Sequence, residues 1–173
     1  GPLTNVARAI EKDPEGMKKA KELLIMGGDL TGMFAEWNIR CDVEAAAKVF
    51  ASGINIRLGD FQITSKCVFT KMQWEKARSL SGNSALLTSM LEKWETDRPN
   101  VTPTMFDGLV ASFLTEEFCT FQRYKIKVET GGDNRGCISL AASNSAVPGI
   151  FAADSVNVDG FMDYLFDKIV SLS

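Results

Sequence analysis

Residues 35–50 read AEWNIRCDVEAAAKVF, and the fold follows from how this stretch is parsed. Asp42 is placed to N-cap a helix running through VEAAAKVF, whose small and apolar residues fall at helical spacing, and Gly53 follows as its stop. Glu36, Trp37 and Asn38 sit just before that helix start, where a connecting loop is ordinarily bland. Either they cap and pack, with Trp37 turned into the core, or Glu36 and Asn38 hold a ligand. On the N-terminal side, ELLIM (residues 22–26) is a compact apolar run closed by Gly27 and Gly28, the profile of a buried strand. On the C-terminal side, INIRL (residues 54–58) reads as a second strand. A strand, a helix and a strand in succession predict a parallel α/β unit. Ligands of such sheets bind beyond the carboxyl ends of the strands, which makes the loop from Gly28 to Asn38 the expected site.

The remaining chain extends this unit. Apolar residues recur at helical spacing from Leu3 to Ile10, KDPEG breaks the pattern, and a short helix is expected from Pro14 to Ala20. FQITSKCVF (residues 61–69) reads as extended or irregular. Thr70 and Gln73 fit a capping box that opens a helix to about Ser79. SALLTSMLEKWE is a further helix, ended by RPNVTP, and Pro103 is expected in the first turn of a helix over TMFDGLVASFL. RYKIKVE, the turn cluster TGGDNRG and CISLA form a β-hairpin. SVNVDGFMDYLFDKIVSL closes as an amphipathic helix capped near Asn157 or Asp159. The expected architecture is one α/β unit over residues 1–173, a mostly parallel sheet with flanking helices and an appended hairpin.

Composition narrows the chemistry. A chain of 173 residues with 45% hydrophobic content can bury a core. A net charge of −3, with both signs spread along the chain, gives no electrostatic reason to expect nucleic acid or an anionic membrane as partner. Lys18, Lys19 and Lys21 read as a solvated face. No apolar run approaches the ~20 residues of a membrane helix, and no signal peptide opens the chain. Cys41, Cys67, Cys119 and Cys137 are irregularly spaced in apolar contexts, so free buried thiols and a reducing, cytoplasmic compartment are expected. The sequence contains no histidine. That absence excludes Ser-His-Asp and Cys-His machinery and imidazole-based zinc sites within these residues. Chemistry here must run on carboxylates, amides, hydroxyls, lysines or a metal held by oxygen. Asp107 stands out, flanked by Phe106 and Leu109 in an otherwise apolar helix start. It either caps the helix or lies exposed, or it pairs with a cation or a metal.

Several stretches resemble one family, the calcium-dependent nucleoside hydrolases of the inosine–uridine type. GPLTNVARAIEKDPE is similar to that family's GPLTN motif, helix and DPE turn, and LLIMGGD to its strand with an MGG element. AEWNIRCDVEAAAKVFASGI resembles the family segment EFNIxxDPEAA, the most specific match. PTMFDGLVASFL is similar to its HDPLAVAY segment, RYKIKVETGGDNRGCISLA to its hairpin, and ADSVNVDGFMDYLFDKIVSL to its C-terminal helix. The matches run in order over nearly the whole chain.

The resemblance implies a Rossmann-like open α/β fold and hydrolysis of the N-glycosidic bond of nucleosides to ribose and free base, with a calcium ion holding the ribose hydroxyls and the attacking water. Carried over by position, it makes Glu36 and Asn38 ribose-binding residues, Met26 a residue lying against the sugar, and Asp107 a calcium ligand. Phe106 stands where many members have a histidine proposed to protonate the leaving base, and it either stacks on the base, as an aromatic residue there does in some members, or simply packs.

Three departures qualify the resemblance. The family's aspartate-rich loop, of the form DxDxGxDD, has no counterpart, and the chain begins at about the midpoint of the family pattern. The histidine is replaced by Phe106. The loop between Gly28 and Glu36 is shorter than usual, and its ribose-contacting asparagine has no counterpart. The expectation is a C-terminal half that is inactive alone and needs an N-terminal aspartate-rich half, through a second polypeptide or self-association. The alternative is a non-catalytic ribose-binding or assembly module on the same scaffold.

Overall fold

The computed structural model describes residues 1–171 apart from 78, 80–83, 100, 116, 117, 143 and 145. Two short helices open the chain, α1 (Thr4–Lys12) and α2 (Pro14–Met17), and Asp13 caps the second by accepting from Gly16 N at 2.8 Å. Strand β1 (Leu23–Met26) follows, then helices α3 (Trp37–Cys41) and α4 (Val43–Phe50) and strand β2 (Ile56–Gly59). Helices α5 (Phe61–Thr64), α6 (Lys71–Ala77), α7 (Ser84–Asp97) and α8 (Phe106–Ala111) come next, with a 3-10 turn over Ser112–Leu114. The chain continues through β3 (Cys119–Val128), β4 (Ile138–Leu140), β5 (Gly149–Val156) and α9 (Val158–Val170).

The five strands form one sheet in the order β1-β2-β5-β3-β4. β1 pairs with β2 and β2 with β5 in parallel, whereas β3 runs antiparallel to both β5 and β4. The sheet is thus a parallel half joined to an antiparallel half, and the expected hairpin is the β3–β4 pair. Alternation along β1 divides the core. Ile25 packs under α1 and α4 with Ala7, Val43 and Val49, whereas Leu24 and Met26 face Leu109, Val110 and Phe161 of α8 and α9. Each fully buried aliphatic or aromatic side chain in these layers contributes roughly 1.5–3 kcal/mol, so two stocked layers account for the sheet's burial on both faces.

Asp42 caps α4 as expected, accepting from Ala45 N at 3.1 Å, and it also accepts from the Thr4 hydroxyl at 2.5 Å, fixing α1 against α4. The Thr70–Gln73 capping box is present in both directions, at 3.0 and 3.1 Å. Asn157 caps α9.

Four expectations are corrected. FQIT is a helical turn, because Asp60 accepts from Ile63 N and converts a strand-like composition into a capped start. α8 begins at Phe106, since Pro103 is used earlier, its carbonyl accepting from Phe69 N. β5 was not foreseen. Its central segment, Ala152 and Ala153, is buried between the two layers, where small side chains are needed and the strand signal of branched residues is lost. Cys41 is exposed, although all four cysteines are free thiols and Cys67 and Cys137 are buried as expected.

Among the described residues, no helix is long and apolar enough to cross a membrane.

Candidate functional site

The carboxyl ends of β1 and β2 carry two loops that are tied together from below. Asp29, fully buried, accepts from Thr31 N, the Thr31 hydroxyl, Met33 N and the Gln62 amide. Burial pushes its carboxyl up, but these hydrogen bonds outweigh it and hold the group below its ordinary range. Asp60, also buried, spans the two loops, accepting from Leu30 N at 3.0 Å and Ile63 N at 3.1 Å. Burial dominates there and raises its pKa, with the nearby Asp29 charge adding to the effect. The backbone completes the join, Phe61 N donating to Gly28 O at 2.8 Å. Residues 28–36 therefore form a braced loop rather than a free one.

Glu36 stands at the end of this loop. It is 6% exposed, and its Oε2 accepts from Gly28 N at 3.0 Å, Asn38 N at 3.0 Å and Ile39 N at 3.4 Å. It is the N-cap of α3, a short helix that sequence reading had merged with the loop. All three bonds fall on one oxygen, and no donor among the described residues reaches Oε1. Asn38 is held in the same way by one end of its side chain. Its Nδ2 donates to Met26 O at 3.2 Å and lies 3.3 Å from Met26 Sδ, which leaves Oδ1 available as an acceptor. Trp37 does not enter the core. It is 65% exposed with the Arg40 guanidinium 4.9 Å from its ring centroid, because the first turn of α3 buries Ile39 instead.

These side chains share one cavity of about 510 Å³, lined by Met26, Glu36, Trp37, Asn38, Phe61, Arg98, Phe106 and Asp107. All five residues singled out from the sequence, Met26, Glu36, Asn38, Phe106 and Asp107, meet there. α8 reaches the cavity because Gly59, at the end of β2, lets it pack close. A Cβ at Gly59 would lie 2.5 Å from Val110 Cγ2. Phe106 stacks on Phe61 with centroids 6.0 Å apart and planes at 26°, and Phe34 meets Phe61 edge-on at 5.2 Å. One wall is therefore aromatic, and the other carries oxygen acceptors. Asp107, exposed in the first turn of α8, makes no cap bond.

The described residues do not by themselves make a calcium site. Among the described residues no three carboxylates, thiols or imidazoles converge, and Asp107 would by itself supply one carboxylate where calcium takes six to eight oxygens.

Sequence reading missed Phe61 and Arg98 as cavity residues. Asp60 followed three residues later by Ile63 in a D-x-x-apolar start was the available signal for Phe61. Arg98, after the end of α7, carried none. Asp29 and Asp60, both buried acids, were also passed over, although Asp60 directly follows the end of β2 and Asp29 lies three residues past the end of β1.

The profile of the inosine-uridine preferring nucleoside hydrolases matches residues 1–163. The chain belongs to this family. The probable uridine nucleosidase 2 of Oryza sativa subsp. japonica is 31% identical over 151 residues, covering 81% of this chain and 45% of that protein. A non-specific ribonucleoside hydrolase of Salmonella paratyphi A is 29% identical over 171 residues, covering 95% of this chain and 56% of that protein. The solved purine-preferring ribonucleoside hydrolase from Gardnerella vaginalis superposes with a TM-score of 0.86 at 27% identity, over 99% of this chain and 59% of that one. The chain spans about half the length of the curated relatives it matches.

Proposed function

We propose that this chain supplies the substrate-facing wall of a nucleoside N-ribohydrolase, which splits a nucleoside into ribose and free base. The observation that carries the reading is the convergence of Glu36, Asn38 and Met26 on one cavity with Phe106 and Asp107. The free Glu36 Oε1 and Asn38 Oδ1 are acceptors for ribose hydroxyls, and the Met26 thioether is a soft surface for the sugar ring. As the base departs, positive charge develops on the sugar, and a fixed carboxylate beside it favours that charge. Phe106 offers its face to the base.

Hydrolysis on this reading needs acids that the described residues do not bring together. A preceding segment or a second polypeptide supplies the aspartate-rich loop and calcium ligands that join Asp107. The edge of the sheet supports this arrangement, since β1 is terminal and its outer side pairs with no strand among the described residues. The chain by itself is inactive. That no acid cluster converges among the described residues also favours a second reading, a ribose-binding or assembly module without bond cleavage.

Isothermal titration with ribose and with inosine, with and without calcium, combined with mass spectrometry of the purified protein, tests the proposal. The expected result is nucleoside binding, release of free base in calcium, and a partner segment bearing an aspartate-rich loop. Binding without base release, in a preparation containing such a segment, selects the second reading. Failure to bind either ligand sinks both.

A further inference from the structure

We infer that Arg98 selects the base, and that the cavity takes nucleosides of 6-oxopurines in preference to adenosine or uridine. This rests on the proposed function and deepens it. Among the described residues lining the cavity, Arg98 is the one cation. Its guanidinium lies 4.2 Å from the centroid of the Trp94 ring, and no carboxylate among the described residues pairs with it. A guanidinium stacked on an indole and paired with no described carboxylate is oriented and has donors to spare.

The cavity that Arg98 lines has an aromatic side. Phe106 and Phe61 lie nearly parallel, 6.0 Å apart, and present apolar ring surface without a hydrogen-bonding handle. The acceptors, Glu36 and Asn38, lie with Met26 on α3 and β1 and suit hydroxyl groups. A ribose held by those acceptors leaves its base to the phenyl rings, in the cavity that Arg98 also lines. Guanidinium donates and never accepts, and its fork matches two acceptors side by side. Hypoxanthine and guanine offer such a pair in O6 and N7. Adenine replaces O6 with an amino donor, which leaves one acceptor and sets donor against donor. Uracil has no counterpart of N7 and covers less of the aromatic wall.

The test is titration calorimetry of the full protein in calcium, with inosine, guanosine, adenosine, uridine, inosine 5′-monophosphate and ribose. Wild type is compared with Arg98→Gln and Arg98→Lys. Inosine and guanosine are expected to bind roughly tenfold more tightly than adenosine, as one bidentate base contact provides. Arg98→Gln should bring the inosine-to-adenosine ratio close to one while leaving ribose affinity in place, and Arg98→Lys should keep part of the ratio. A merely structural role for Arg98 would weaken all ligands together and leave the ratio unchanged, which overturns the inference. Tighter binding of the monophosphate than of inosine, lost in Arg98→Gln, would put the guanidinium on a phosphate and overturn it as well. Equal affinity for all nucleosides overturns base selection alone. Failure of every nucleoside to bind overturns the proposed function with it.

Discussion

The carboxylate of Glu36 reaches back over the loop to accept the backbone N–H of Gly28 at 3.0 Å, and the same oxygen caps α3. One side chain thus fixes the loop after β1, starts the following helix and faces the cavity with its other oxygen. The structural and ligand-binding readings of Glu36 are compatible, because they use different atoms.

Substitutions at Glu36 should separate those two roles. Glu36→Ala leaves three N–H groups at a buried site without their acceptor and should destabilise the fold by about 3 kcal/mol. Glu36→Gln keeps one oxygen for the same donors and should cost less than about 1 kcal/mol, while turning a cavity-facing acceptor into a donor. Urea unfolding measures the first effect and ribose titration the second. Equal stability of the two variants would show that the Oε2 bonds contribute little.

Acid sensitivity should be centred on Asp29 and Glu22. Glu22 forms a two-pronged pair with Arg57, at 2.6 Å to Nε and 2.5 Å to Nη2, and the Arg57 hydrogen bond lowers its pKa below the ordinary 4.5. Asp29 is likewise held below its ordinary 3.8, its hydrogen bonds outweighing burial. In both cases the unfolded chain binds protons more readily than the folded one. Their contribution is therefore complete above the ordinary values and is lost as pH falls through the lower folded values. Asp60 works in the opposite sense. Its raised pKa means the folded state holds a proton longer, so its share of stability falls as pH rises from 3.8 through the folded value. Unfolding midpoints measured from pH 2 to 7 should fall at the acid end in wild type and fall less in Glu22→Gln. An equal acid slope in the variant would remove Glu22 from the account.

Close approach of α8 to β2 depends on Gly59. A methyl group there meets Val110 Cγ2, with Phe113 Cζ at 3.2 Å behind it. Gly59→Ala should destabilise by about 1–3 kcal/mol, the usual cost of overpacking, and should displace Phe106 and Asp107 from the cavity. Thermal unfolding checks the cost. Unchanged stability would mean that α8 shifts freely.

Much of this architecture was legible beforehand, for reasons that can be named. Asp42, Asn157 and the Thr70–Gln73 box are side-chain caps, and caps are local, so sequence spacing alone reveals them. β1, β2 and the β3–β4 hairpin carry branched and apolar residues at strand spacing. β5 escaped because Ala152 and Ala153 gain their strand conformation from β2 and β3 on either side, a long-range effect. Trp37 was misread because a large aromatic next to a helix start ordinarily packs inward, whereas here Ile39 takes the inward position. The site residues became visible through resemblance, and their meeting in one cavity depends on α8 crossing to β1. Arg98 had no local signal, since its place at the cavity comes from how the end of α7 returns toward α3.

The most direct test of the central claim is release of reducing sugar from inosine in calcium, measured on the protein together with its aspartate-rich partner segment, as wild type and Glu36→Gln. The account predicts ribose release by wild type and a loss of at least about tenfold in kcat/KM in Glu36→Gln, with the fold intact. Equal turnover by the two proteins would contradict it, and so would a wild type that binds inosine yet releases no sugar.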